Sequence, residues 1–124
     1  MTTTQDYSLI HILRDYSIDL WKRQACLIMA KHGLISFIVH PDYIAARRAQ
    51  AMYQALLAYL SQLRSEGRTW IALPREVNRW WRERSAMKLV RQNDKWRIEG
   101  PGAERARVAY ARLAGERVEY TLEA

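Results

Sequence analysis

The shortest path to chemistry in this chain runs through one histidine. The apolar run Leu34-Ile35-Ser36-Phe37-Ile38-Val39 leads directly into His40-Pro41-Asp42-Tyr43. Read as a strand, residues two apart share a face, so Leu34, Ser36, Ile38 and His40 point one way and Ile35, Phe37 and Val39 the other. The bulkier set is expected to pack under helices. His40 then stands just past the strand's C-terminal end, where βα folds place their reactive groups. An imidazole there can act as general acid or base near neutral pH, with Asp42 to orient it. Asp6 and His11 are more distant helpers, and the weak candidates for a metal. The plainer alternative is that His40 only ends the strand and hydrogen-bonds in the following turn.

A second group of residues suits binding rather than catalysis. The 124 residues carry 20 Lys/Arg and 13 Asp/Glu, a net charge of +7. Most of that excess lies in residues 63–97, where arginines and lysines interleave with Trp80, Trp81 and Trp96. Such surfaces can hold single-stranded nucleic acid or anionic polysaccharide. Arg75, Arg79 and Arg82 fall at i, i+4 and i+7 of a helix and form the candidate polyanion-binding face. Trp80 and Trp81 join Val77 on the apolar side of that helix and are expected to pack in the core. The whole basic segment also reads as a solvated helix face.

Among the elements that must position these groups, Ser17 to His32 has the capping residue and apolar spacing of a helix. Ile18, Trp21, Ala25, Ile28 and Met29 form its buried side, and Lys31-His32-Gly33 its stop, with the glycine free for positive φ. Cys26, beside Leu27 and Ile28, is expected to be a buried thiol rather than a nucleophile. Ala45, Ala49, Met52, Tyr53, Leu56, Leu60 and Leu63 make one stripe of a second helix over about 44–65, ended by Glu66-Gly67. Thr69-Trp70-Ile71-Ala72 reads as a second short strand, and Pro74 opens a third helix. After Arg84 the pattern changes to hairpins, one turning at Gln92-Asn93-Asp94-Lys95 and one at Ala114-Gly115-Glu116. The first fourteen residues are expected to form a loop or short turn.

The expected fold is therefore α/β. A partial βα-barrel-like α-β-α-β-α unit (1–84) is followed by an antiparallel β-hairpin extension (85–124) packed on it as one compact domain. Two strands apolar on both faces need cover, which predicts self-association, most simply a symmetric dimer burying the Leu34/Ser36/Ile38 face.

The segments Gly33–Tyr43, Gly67–Ala72 and Val77–Arg84 resemble the C-terminal part of polysaccharide-deacetylase-like proteins, and the likeness extends over most of the chain. Those proteins are distorted βα barrels that remove acetyl groups from sugars with a divalent metal such as zinc. The resemblance implies that His40 is the general acid closing the last barrel motif, with Leu34 and Ile38 as its apolar residues. The family's paired aspartates, its His-x-x-x-His metal pair and its Arg-containing motif have no counterpart here. The implied function is a hydrolase-like fragment with weak or no activity of its own. The alternatives are a basic module for an anionic polymer and an interaction protein that completes another chain's barrel.

Composition narrows the rest. No segment approaches the roughly 20 apolar residues of a membrane span. Met1-Thr2-Thr3-Thr4-Gln5-Asp6 has neither the basic nor the apolar region of a secretory signal, so a cytoplasmic protein is expected. The single cysteine excludes an internal disulfide and a Cys-based zinc cluster. There is no Gly-x-Gly-x-x-Gly, P-loop, Gly-x-Ser-x-Gly or His-Glu-x-x-His motif.

Overall fold

Apolar residues three and four apart between Ala49 and Leu63 become the buried face of α2 (Arg47–Ser65), where Ala49, Met52, Leu56 and Leu63 are almost wholly enclosed. Leu9, Ile10, Ile18 and Trp21 join Ala49, Met52 and Leu56 in the core. Trp21 belongs to α1 (Asp19–Met29), which also buries Ala25 and Ile28. Each Leu, Ile or Met so enclosed contributes about 1.5–3 kcal/mol. The computed structural model describes residues 2–122. It divides into two compact units, Met1–Trp70 and Ile71–Ala124.

Helix ends follow local chemistry. At the end of α2 the Gly67 N–H bonds to the Arg64 carbonyl and the Arg68 N–H to the Leu63 carbonyl, with Gly67 at φ +67°. This Schellman closure needs a residue that tolerates the left-handed region. The end of α1 differs from expectation, because His32 takes the positive φ (51°) and Gly33 does not. Gly33 is needed there for space. A Cβ on it would lie 2.8 Å from Ile28 Cγ2.

The parallel sheet expected from the sequence does not form. Residues 34–39 are extended, and their alternation is as read, with Ile35, Phe37 and Val39 half-buried and Leu34, Ser36 and Ile38 exposed. Yet among the described residues only one parallel bridge, Ser36 to Thr2, is made. The partner is the N-terminal segment, not Thr69–Ala72, which carries no ladder among the described residues. A strand exists by its paired backbone groups, and neither apolar run carries a continuous ladder among the described residues. The first fourteen residues are likewise more ordered than expected, with a π-helical turn at Ser8–Ile12 that buries Leu9 and Ile10.

The second unit comprises α3 (Pro74–Ala86) and two antiparallel hairpins. These are β1 (Lys88–Gln92) with β2 (Lys95–Glu99), and β3 (Ala109–Ala114) with β4 (Arg117–Leu122). Both turns fall where the sequence put them. Asn93 and Asp94 take positive φ in the first, the backbone of a type I′ turn. Pro74 occupies the first turn of α3, and Glu76 reaches back to accept the Leu73 N–H at 2.6 Å. The boundary between units lies ahead of α3 rather than after Arg84, since Glu83 of α3 pairs with Arg105 beyond the first hairpin. The tryptophans are the largest departure. Trp81 is 62% exposed and Trp80 38%, because two-stranded hairpins offer too little surface to bury them. Mixed α/β content thus stands, carried by helices and antiparallel hairpins.

Candidate functional site

The N-terminal segment is strapped to the core by side chains that share their hydrogen bonds with its backbone. Thr3 donates from both N–H (3.0 Å) and hydroxyl (3.2 Å) to the Ser36 carbonyl. The indole N–H of Trp21 donates to the Thr4 carbonyl at 2.7 Å. Gln24 accepts from the Thr4 N–H and donates to its hydroxyl. Farther along, the Asp6 N–H meets the Ile38 carbonyl at 3.3 Å. Register between two extended segments therefore brings Asp6 beside His40, 34 residues away.

Asp6 is fully buried, and three donors converge on its carboxylate. His40 N–H donates to Oδ2 at 2.6 Å, Tyr7 N–H donates to Oδ1 at 2.8 Å, and the His40 ring places Nδ1 2.7 Å from Oδ1. Burial alone pushes a carboxyl group's pKa up. Here the hydrogen bonds from His40 and Tyr7, with the charge of His40, outweigh it and hold Asp6 below the usual carboxylate range. An ionised carboxylate only accepts, so the His40 proton belongs on Nδ1, and Nε2 carries the lone pair of the neutral ring. The His40 side chain is 45% exposed. No Ser, Thr or Cys side chain hydrogen-bonds to it among the described residues. Such an arrangement can orient an imidazole for acid–base chemistry, and no protein nucleophile is bonded to it among the described residues.

Aromatic rings gather around this pair. The turn Pro41–Ile44 starts at His40 and sets the Tyr43 ring 5.1 Å from the imidazole. Tyr7 lies 5.5 Å from Tyr43, and His11 lies 5.1 Å from Tyr7 and 5.0 Å from Tyr43. Tyr7 and His11 present exposed surface, of the kind that stacks on sugar rings or planar groups.

Of the residues singled out from the sequence, His40 and Asp6 meet directly, and His11 belongs to the surrounding aromatic group. Asp42 is exposed in the turn, and no hydrogen bond joins it to His40. The carboxylate bonded to His40 is instead Asp6, because the turn at Pro41 carries residue 42 away while the strap carries residue 6 in. Sequence pattern alone does not point to Tyr7 and Tyr43; their one signal is that each directly follows an aspartate, Asp6 and Asp42. Arg75, Arg79 and Arg82 lie exposed on α3, with Arg82 donating to Asn78 at 3.3 Å. Cys26 is exposed rather than buried, its Sγ 3.9 Å from the Tyr59 hydroxyl, since the apolar side of α1 runs through Trp21, Ala25 and Ile28.

The zinc-type metal implied by the resemblance does not fit the residues present. Both Asp6 oxygens are engaged by donors, and no three His, Cys, Asp or Glu side chains cluster for an ion among the described residues. No helix among them is long and apolar enough to cross a membrane. No protein-family model, curated protein or solved structure matches the chain.

Proposed function

We propose that this chain is a hydrolase-like module in which His40, held by Asp6, moves a proton during cleavage of an acyl group from a carbohydrate. The observation that carries this reading is the Asp6–His40 pair, joined by two hydrogen bonds with the ring partly open to solvent. With Nδ1 held, Nε2 can take a proton from an attacking water or return one to the leaving group. The exposed rings of Tyr7 and His11 give a sugar a surface to lie against. Activity of the isolated chain is expected to be weak, because no electrophilic group or nucleophile stands with His40 among the described residues. The test is hydrolysis of 4-nitrophenyl acetate and of an acetylated amino-sugar oligomer by the wild type, His40→Ala and His32→Ala. The expected result is a slow wild-type rate that falls at least about tenfold in His40→Ala and is unchanged in His32→Ala. Full activity in His40→Ala overturns the assignment, as does a wild-type rate no greater than that of buffer.

A second reading rests on the extended segment. One edge of 36–38 is bonded to residues 3–6, while the backbone groups of Ile35, Phe37 and Val39 make no hydrogen bond among the described residues. Leu34 is 60% exposed and Ile38 36%. Such an edge accepts another strand, from a second copy in a symmetric dimer or from another chain's barrel. Sedimentation at low micromolar concentration is expected to show a dimer. A compact, stable monomer removes the dimer.

A further inference from the structure

The second unit contains a cavity of about 500 Å³ between the end of α3, the start of β1 and residues 102–109. Its size falls within the roughly 300–1,000 Å³ of small-molecule sites. Met87, Leu89, Ile98 and Val108 give it apolar walls. Gly102, at φ +77°, lets the loop close on them, since a Cβ there would lie 3.2 Å from Met87 Cε and 2.6 Å from Arg105 Nη2.

The polar part of the lining is one-sided in charge. Arg84, Lys88, Arg105 and Arg107 face a single acid, Glu83. Arg105 is ion-paired with Glu83, and Arg84 lies over the Trp80 ring at 5.3 Å. Lys88 and Arg107 have no ion pair among the described residues. Glu99, the cross-strand neighbour of Lys88, is turned to Arg97 instead. The cavity therefore combines apolar walls with two exposed cations that have no ion pair among the described residues.

We propose that this cavity binds a small amphiphilic anion, a carboxylate or phosphate monoester carried on an apolar body. The head lies against Lys88 and Arg107, where a guanidinium can grip two oxygens at once. The body replaces water against Met87, Leu89, Ile98 and Val108. An uncharged apolar molecule gains nothing from the cations, and a bare inorganic anion leaves the walls wet.

The probes are decanoate, decyl phosphate and decan-1-ol, titrated into the full chain by calorimetry and by amide NMR. Saturable binding of decanoate or decyl phosphate is expected, with shifts centred on Met87, Leu89, Ile98 and Val108. The tighter of the two identifies the head group. Decan-1-ol should bind at least tenfold more weakly. Lys88→Gln with Arg107→Gln should weaken the anions at least tenfold while leaving the amide spectrum folded. Leu113→Ser, on the exposed second hairpin, should leave binding unchanged. The proposal is overturned if decan-1-ol binds as well as the anions or if no probe binds at millimolar concentration. It is equally overturned if the double variant binds like wild type, or if the shifts map to the far end of the second hairpin, around Gly115, instead of the cavity.

Discussion

The two units handle the same kinds of residue in opposite ways. In the first, a helix pair and an ordered N-terminal strap enclose Trp21, Leu9 and Leu56, and the same enclosure allows an ionised Asp6 to sit without solvent. In the second, Val108 is the one buried apolar residue among those described, while tryptophans, tyrosines and arginines lie at the surface. The second hairpin makes the point residue by residue. Its register places Leu113 with Val118, Ala111 with Tyr120 and Ala109 with Leu122 on one apolar face, and Arg112 with Glu119 on the other. Tyr120 is 70% exposed on that apolar face. A packed scaffold can fix a proton-transfer pair to tenths of an ångström. A thin, basic, apolar surface is suited instead to holding something that arrives from outside.

The contrast is sharpest in stability. Trp21→Ala removes a buried ring and its bond to Thr4, so denaturant unfolding is expected to lose about 3–5 kcal/mol. Tyr120→Ala should change stability by no more than about 0.5 kcal/mol. Equal losses would mean that the hairpin face is covered and the contrast false.

Asp6→Ala comes next, at about 3 kcal/mol, because it strands buried donors that the carboxylate now satisfies. The same group sets an acid limit. Folded Asp6 titrates below its ordinary value of 3.8, so as pH falls past that value the unfolded chain takes up the proton first. The contribution is fully present above pH 3.8 and is lost as pH falls through the folded value. Thermal melts from pH 6 to 2.5 should show a decline in the wild type that is shallower in Asp6→Asn. Parallel declines would remove Asp6 as its source.

Smaller effects test the local geometry. Gly67→Ala has open space around the new methyl group but must hold φ at +67°, which should cost about 1 kcal/mol in urea unfolding. Smallest of all, a double-mutant cycle on the Arg112–Glu119 pair should give a coupling under about 1 kcal/mol, since both side chains are well exposed.

Much of this was legible in the residues, and the failures share a cause. Helical periodicity located α1 and α2, proline and glycine marked their neighbours, and turn chemistry placed both hairpins. Alternation along 34–39 assigned the inward and outward residues correctly even though no strand forms. What spacing could not convey was which distant segment lies alongside. The partner of Ser36 is Thr2, and the partner of His40 is Asp6 rather than the nearer Asp42, because long-range register is set by side chains such as Gln24 and Trp21. Burial of Trp80 and Trp81 was misread for the same reason. An apolar helix face states a need for cover without stating whether cover exists.

The central claim is that Asp6 fixes the proton of His40 on Nδ1. Long-range ¹H–¹⁵N NMR of the imidazole rings, at a pH where His40 is neutral, reads the tautomer directly. An Nδ1-protonated His40 is expected in the wild type, with that preference lost in Asp6→Ala and His32 unchanged. A wild-type His40 protonated mainly on Nε2 would contradict it.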